Sequence, residues 1–288
     1  MSRTICIYHA NCADGFTAAW VVNLAICKGV DFIPASYGSE PPDVTDADVI
    51  IVDFSYKRPV LERMAQTARS ILVLDHHKTA EADLQGLPRP AGRWRDHKAQ
   101  AGNPAVLFDM CRSGAQMAWD YFCLGARPGI VDYVADRDLW RWELPHSREI
   151  NAVIQSYEMN FTIWHDLNVD LQRDFSGAQL VREGAAILRK QDLDIRQMLP
   201  ITTREMIIGG HCVPVANLPY CFASEAAGRL AEDAPFAATY FDGPKGRAFS
   251  LRSRGEGGLD VAEIAQRYGG GGHRNAAGFT MPIGWEGD

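Results

Sequence analysis

Apolar residues in this chain fall into short unbroken runs separated by stretches with helical spacing. Thr4–His9 and residues 32–36, 49–53 and 71–75 are such runs, the last reading Ile-Leu-Val-Leu-Asp before His76 and His77. A short continuous apolar run with polar ends is the pattern of a strand buried on both faces of a parallel sheet. Between these runs, residues 13–28 place Phe16, Ala19, Trp20 and Leu24 on a helical repeat, and 59–68 read as a second helix. A further strand is predicted over 105–109, then helices over Gly114–Phe122 and 130–140, with the stretch to about Leu171 mainly helical. Strands alternating with helices predict βαβ units and a mostly parallel sheet.

Residues 177–199 form a long, charge-rich amphipathic segment carrying Leu180, Ala185, Leu188, Leu193 and Ile195, with Pro200 as its expected stop. Beyond it the pattern restarts. Strands are predicted over 205–208, 213–217, 236–241 and 247–252, helices over 224–232 and 261–268, then a glycine-rich loop and a last strand near 278–281. The expected fold is therefore α/β: a larger N-terminal domain (1–175) whose mostly parallel sheet is flanked by helices, a helical connector (176–200) and a smaller C-terminal α/β domain (201–288).

Composition narrows the function classes. Apolar residues make up 47% of the 288 and charged residues 23%, which suits buried cores of ordinary size. No apolar run is long enough to span a bilayer, and no signal-peptide pattern opens the chain, so no membrane partner is expected. Seven cysteines with no Cys-x-x-Cys pair fit reduced thiols and a cytoplasmic location. A net charge of −7 argues against tracking along long nucleic acid, which calls for a strongly basic surface. An anionic substrate is expected to be short and held locally.

Chemistry concentrates where apolar segments end. His9, Cys12, Asp14 and Gly15 follow the first run, Asp53 ends the third, and Asp75, His76 and His77 end the fourth. Asp136 and Asp138 lie toward the end of a predicted helix. Singly, each has an ordinary reading: His9 as a hydrogen-bonded structural histidine, Asp53 as a turn or helix cap, Asp136 as a partner of Arg137 or Arg141. Jointly, carboxylates and imidazoles at successive strand ends suit Mn2+ or a similar divalent ion, since burying uncompensated acids there is costly. Near the other end of the chain, Gly270, Gly271 and Gly272 expose backbone N–H groups beside His273 and Arg274, with Arg252 ending a neighbouring strand. That group suits a terminal phosphate or a nucleotide.

The order His9…Asp14-Gly15, Asp53, Asp75-His76-His77, Asp136 resembles the four motifs of the DHH phosphoesterase superfamily. The run from Gly269 to Gly278 resembles the glycine-rich signature of its DHH-associated substrate-binding domain. The superfamily includes RecJ-like nucleases, oligoribonucleases, 3′-phosphoadenosine-5′-phosphate phosphatases and cyclic-dinucleotide phosphodiesterases. The resemblance implies two Mn2+-type ions bridged by Asp53, one also held by His9, the other by Asp14, His76 and Asp136. Asp138 is the alternative to Asp136. Asp75 would orient a ligand histidine, and His77 would face the scissile phosphate. Motif one usually carries two acids, and Cys12 stands where the first would be, either as a thiolate ligand or as packing. The implied activity is metal-dependent hydrolysis of phosphodiester bonds in short oligonucleotides, as an oligoribonuclease or exonuclease. A phosphatase or phosphodiesterase of a small nucleotide, and a nucleotide-binding regulator without catalysis, are the alternatives.

Overall fold

The apolar runs of the first half pair as β1 (Thr4–His9), β2 (Val30–Ala35), β3 (Asp48–Val52), β4 (Ser70–Asp75) and β5 (Ala105–Phe108), in the order β2-β1-β3-β4-β5. Every pairing is parallel. The computed structural model describes residues 3–92, 103–173, 178–255 and 257–288. It divides into two compact units, Met1–Leu188 and Arg189–Asp288.

Helices of the first unit are α1 (Ala13–Ile26), α2 (Arg58–Ala65), α3 (Lys78–Asp83), α4 (Gly114–Phe122), α5 (Gly129–Asp138), α6 (Ser147–Ser156) and α7 (Phe161–Arg173). They cover both faces of the sheet, which is why its strands read as unbroken apolar runs. Cys6, Ile50, Val52, Leu72 and Leu74 pack on one face with Trp20 of α1, Met117 of α4 and Val134 of α5. Ile5, Ile7, Val49, Ile51, Ile71 and Val73 pack on the other with Leu61 and Met64 of α2. Residues 14–22 of α1 are all buried, as a helix apolar on every side must be. Trp164 Nε1 donates to Thr17 Oγ1 at 2.9 Å, tying α7 to α1 in the core.

The connector is helical as α8 (Ala178–Thr202); Gly177, where it was expected to begin, lies outside the described residues. Pro200 does not stop it. A proline costs a helix its own N–H and crowds the carbonyl four residues before it, but at Pro200 only two helical residues follow before the chain runs straight into β6 (Thr203–Ile208).

The second unit is a six-stranded sheet. It comprises β6, β7 (His211–Asn217), β8 (Ala237–Gly243), β9 (Gly246–Arg252), β10 (Gly271–His273) and β11 (Ala276–Met281), in the order β10-β11-β9-β8-β7-β6. Only β7 and β8 run parallel. Val213, Phe236, Phe249, Leu251 and Phe279 form its core with Ile264 and Ala265 of a helix (Val261–Gln266). The glycine run expected as a loop contributes β10, paired with β11. Two of its glycines are required by that pairing. A Cβ at Gly270 would lie 2.1 Å from Gly278 O, and one at Gly272, whose φ is 142°, 2.5 Å from Ala276 O. Among the described residues no helix is long and apolar enough to cross a membrane.

Candidate metal centre

Tyr8 pairs with Val52 and Val52 with Leu74, so the next residues, His9, Asp53 and Asp75, end three neighbouring strands at one level. The strand order reverses at β1, and the crevice at such a switch point is where open α/β sheets bind ligands. After His9 the chain turns through Asn11 at φ 55°, and Ala10 N donates to Ala35 O at 2.8 Å. Asp14 then enters in the first turn of α1. A Cβ at Gly15 would lie 2.5 Å from His9 O, so only glycine lets α1 start this close to β1.

Asp14 crosses to the N-terminus of α4. Its Oδ2 accepts from Gly114 N at 2.6 Å and its Oδ1 from Ala115 N at 3.1 Å, a favourable seat for a carboxylate. The fit leaves no room at Gly114, where a Cβ would lie 2.5 Å from Asp53 Cβ. Gly114 escaped the sequence reading; its one signal is a Ser-Gly pair opening a helix.

Asp53 is buried and adopts a left-handed backbone with φ 53°. Its Oδ1 lies 2.9 Å from His76 Nε2 and its Oδ2 lies 3.5 Å from His9 Nδ1. His76 Nε2 also lies 3.7 Å from Asp14 Oδ2 and 3.5 Å from Asp138 Oδ2. Within the described residues of the first unit, two sets of ligand atoms each lie within 4.8 Å of one another: Asp14, Asp53 and His76, and His9, Asp53 and His77. These clusters could coordinate one or two divalent ions, with Asp53 common to both.

The donor set fits such ions. Among the described residues, His9 Nδ1, Asp53 Oδ2 and Asp138 Oδ2 are buried with no hydrogen-bond partner, though buried polar atoms are normally satisfied. The electrostatics agree. Burial, then the charges of Asp53 and Asp138, holds Asp14 well above the usual carboxylate range, and burial also raises Asp138. Burial would lower His76, but the hydrogen bond to Asp53 and the surrounding acids push it up to about 10. Burial also works to raise Asp53, but its hydrogen bonds with His76 and His9 outweigh that and hold it well below the usual range. A divalent cation would supply the charge that makes Asp14 and Asp138 compatible with it as carboxylates.

Asp75 is wholly buried and accepts from His76 N at 2.8 Å and from His77 Nδ1 at 2.7 Å. It thus fixes both the turn and the His77 ring. The two candidate acids of the fourth motif separate. Asp136 Oδ1 accepts from Glu143 N at 3.0 Å and its Oδ2 from Leu144 N at 3.3 Å, whereas Asp138 faces His76. Cys12 caps α1, and its sulfur belongs to neither ligand cluster. Tyr37, also missed in the sequence reading, lies with its ring centroid 5.4 Å from that of His9 and 5.8 Å from that of His77.

In the second unit, Gly270, Gly271 and Gly272 form or adjoin the β10–β11 hairpin. Arg274 is exposed and donates to Gly258 O, and Arg252 donates to Ser224 Oγ at 2.6 Å.

Residues 222–285 match the DHHA1 domain. The chain is 37% identical to oligoribonuclease NrnB of Bacillus subtilis (strain 168) over 320 residues, covering 96% of this chain and 72% of that one. The chain belongs to the DHH/DHHA1 phosphoesterase superfamily. An uncharacterized protein of Acanthamoeba polyphaga mimivirus is a second relative, 26% identical over 96% of this chain and 67% of its own. The DHH domain of a member of the s1p family of ribosomal proteins shares the fold, with a TM-score of 0.56 at 15% identity, over 98% of this chain and 83% of that one. As a DHH protein, the chain departs at Cys12 from a first motif with two acids. Burial and the charges of Asp53, Asp138 and Asp14 push the Cys12 thiol well above its ordinary pKa. Manganese prefers oxygen donors to sulfur.

Proposed function

We propose that the chain is a two-metal phosphodiesterase that degrades short oligonucleotides, most simply oligoribonucleotides, from one end. The observation that carries this reading is Asp53, whose two oxygens face His9 on one side and His76 on the other. In this reading His9 and Asp53 hold the first ion, and Asp14, Asp53, His76 and Asp138 hold the second. Asp138 replaces Asp136 because Asp138 Oδ2 lies 3.5 Å from His76 Nε2 and has no hydrogen-bond partner among the described residues. When bound, two Mn2+-type ions supply Lewis acidity for activating water and for neutralising charge at phosphorus.

The chain's own groups orient and protonate. Asp75 accepts a hydrogen bond from His77 Nδ1–H, which orients the ring. With both ring nitrogens protonated, Nε2–H of His77 would donate to a phosphoryl or leaving-group oxygen. Asp14, anchored on α4, holds one wall of the second site rigid. In the second unit, Arg274 and His273 with the hairpin backbone are proposed to bind the terminal phosphate or nucleotide, and Arg252 to add a second cation. A substrate of a few nucleotides suits the net charge of −7, and the relative named an oligoribonuclease supports RNA as its class.

The test is a panel assayed with Mn2+: oligoribonucleotides of two to ten residues, cyclic dinucleotides and 3′-phosphoadenosine 5′-phosphate. Turnover highest on the shortest oligoribonucleotides is expected. Preference for 3′-phosphoadenosine 5′-phosphate or a cyclic dinucleotide would replace the substrate assignment, and binding without any turnover would replace the enzyme reading with that of a regulator.

A further inference from the structure

Tyr37 follows the end of β2 and stands beside the metal centre without belonging to it. Its residue is 50% exposed, yet its ring packs against Phe54 and two site histidines, His9 and His77. The ring centroid lies 5.1 Å from that of buried Phe54, at 43°, and near those of His9 and His77 at 67° and 80°. Phe54 is in turn braced edge-on by Tyr56 at 4.9 Å. A buried aromatic pair therefore supports a ring that borders both imidazoles and keeps part of its surface in water. Single exposed aromatics are common and need no explanation. What sets Tyr37 apart is that its ring borders both His9, assigned to the first ion, and His77, proposed to meet the phosphate.

We propose that Tyr37 is a specificity-determining residue that stacks on the nucleobase of the nucleotide whose phosphate lies between His9 and His77. The proposal rests on the phosphodiesterase reading and deepens it. It makes the enzyme select nucleosides over other phosphodiesters, with little preference among bases, because every base offers a π-face. Apolar contact with the ring, not its hydroxyl, carries the effect.

The experiment is calorimetric binding of the dinucleotide pApA and of its analogue lacking the base next to the 5′-phosphate, with Ca2+ in place of Mn2+. The proteins compared are wild type, Tyr37→Phe and Tyr37→Leu. Tyr37→Phe should bind pApA within about 2-fold of wild type, whereas Tyr37→Leu should bind it roughly 5- to 150-fold more weakly, the range of base–aromatic stacking. Binding of the abasic analogue should be unchanged in both variants. Equal weakening for both ligands would overturn the proposal in favour of a ring that merely positions His9 and His77. A Tyr37→Phe loss as large as that of Tyr37→Leu would assign the effect to the hydroxyl instead, and a wild type that does not distinguish the two ligands would also overturn it. Base-dependent binding without hydrolysis of any nucleotide would count against the phosphodiesterase reaction and leave the stacking role standing.

Discussion

Asp53 occupies a backbone conformation that costs a non-glycine residue about 1–3 kcal/mol, and it does so between two histidines that each face one of its oxygens. Its strand-end position was legible because an acid closing an apolar run is conspicuous in sequence. The choice between Asp136 and Asp138 was not legible. Two acids spaced by one residue look alike in sequence, and only the folded turn shows Asp138 facing His76 while Asp136 accepts from Glu143 N and Leu144 N. The two variants should therefore fail differently. Asp138→Asn should lower Mn2+-dependent hydrolysis by more than about 100-fold while its melting temperature stays near that of wild type. Asp136→Asn should destabilise the fold by about 1–3 kcal/mol in a denaturant titration, through loss of its backbone bonds. The reverse pattern would return the ligand role to Asp136.

At the scale of elements, strands and helices of the first unit were readable as apolar runs and helical repeats. Their mutual fit was not. Gly114 lies 100 residues from the carboxylate it receives, and no local pattern announces that a Cβ there would meet Asp53. Gly114→Ala should cost about 1–3 kcal/mol by overpacking and should also weaken metal binding, both measurable on the same preparation by thermal melting and metal titration. Wild-type values for both would show that α4 does not support the centre. The same helix carries Asp120. Burial raises its pKa, but hydrogen bonds from Arg127 and Arg112 outweigh that and leave it below the usual value. A carboxylate with a lowered folded pKa contributes stability above its unfolded value of about 4, and that contribution disappears as pH falls through the folded pKa. The melting-temperature gap between wild type and Asp120→Asn should therefore be full at pH 6 and close as pH drops below about 4. A gap constant with pH would contradict the ion-pair account.

The molecule as a whole is two α/β units, and a restart of the strand and helix pattern after a long amphipathic segment was enough to anticipate both. The glycine run was recognised as a signature but misread as a loop, because β10 spans only three residues and is defined by its partner β11, not by its own composition. What joins these levels is the claim that a parallel sheet ends in a centre for two divalent ions with Asp53 shared between them. Metal content and turnover measured together test it most directly. Wild-type protein equilibrated with Mn2+ should bind two ions per chain and hydrolyse a short oligoribonucleotide. Asp53→Asn, folded by circular dichroism, should bind at most one ion and lose hydrolysis. Two ions bound by Asp53→Asn with turnover at the wild-type rate would contradict the account.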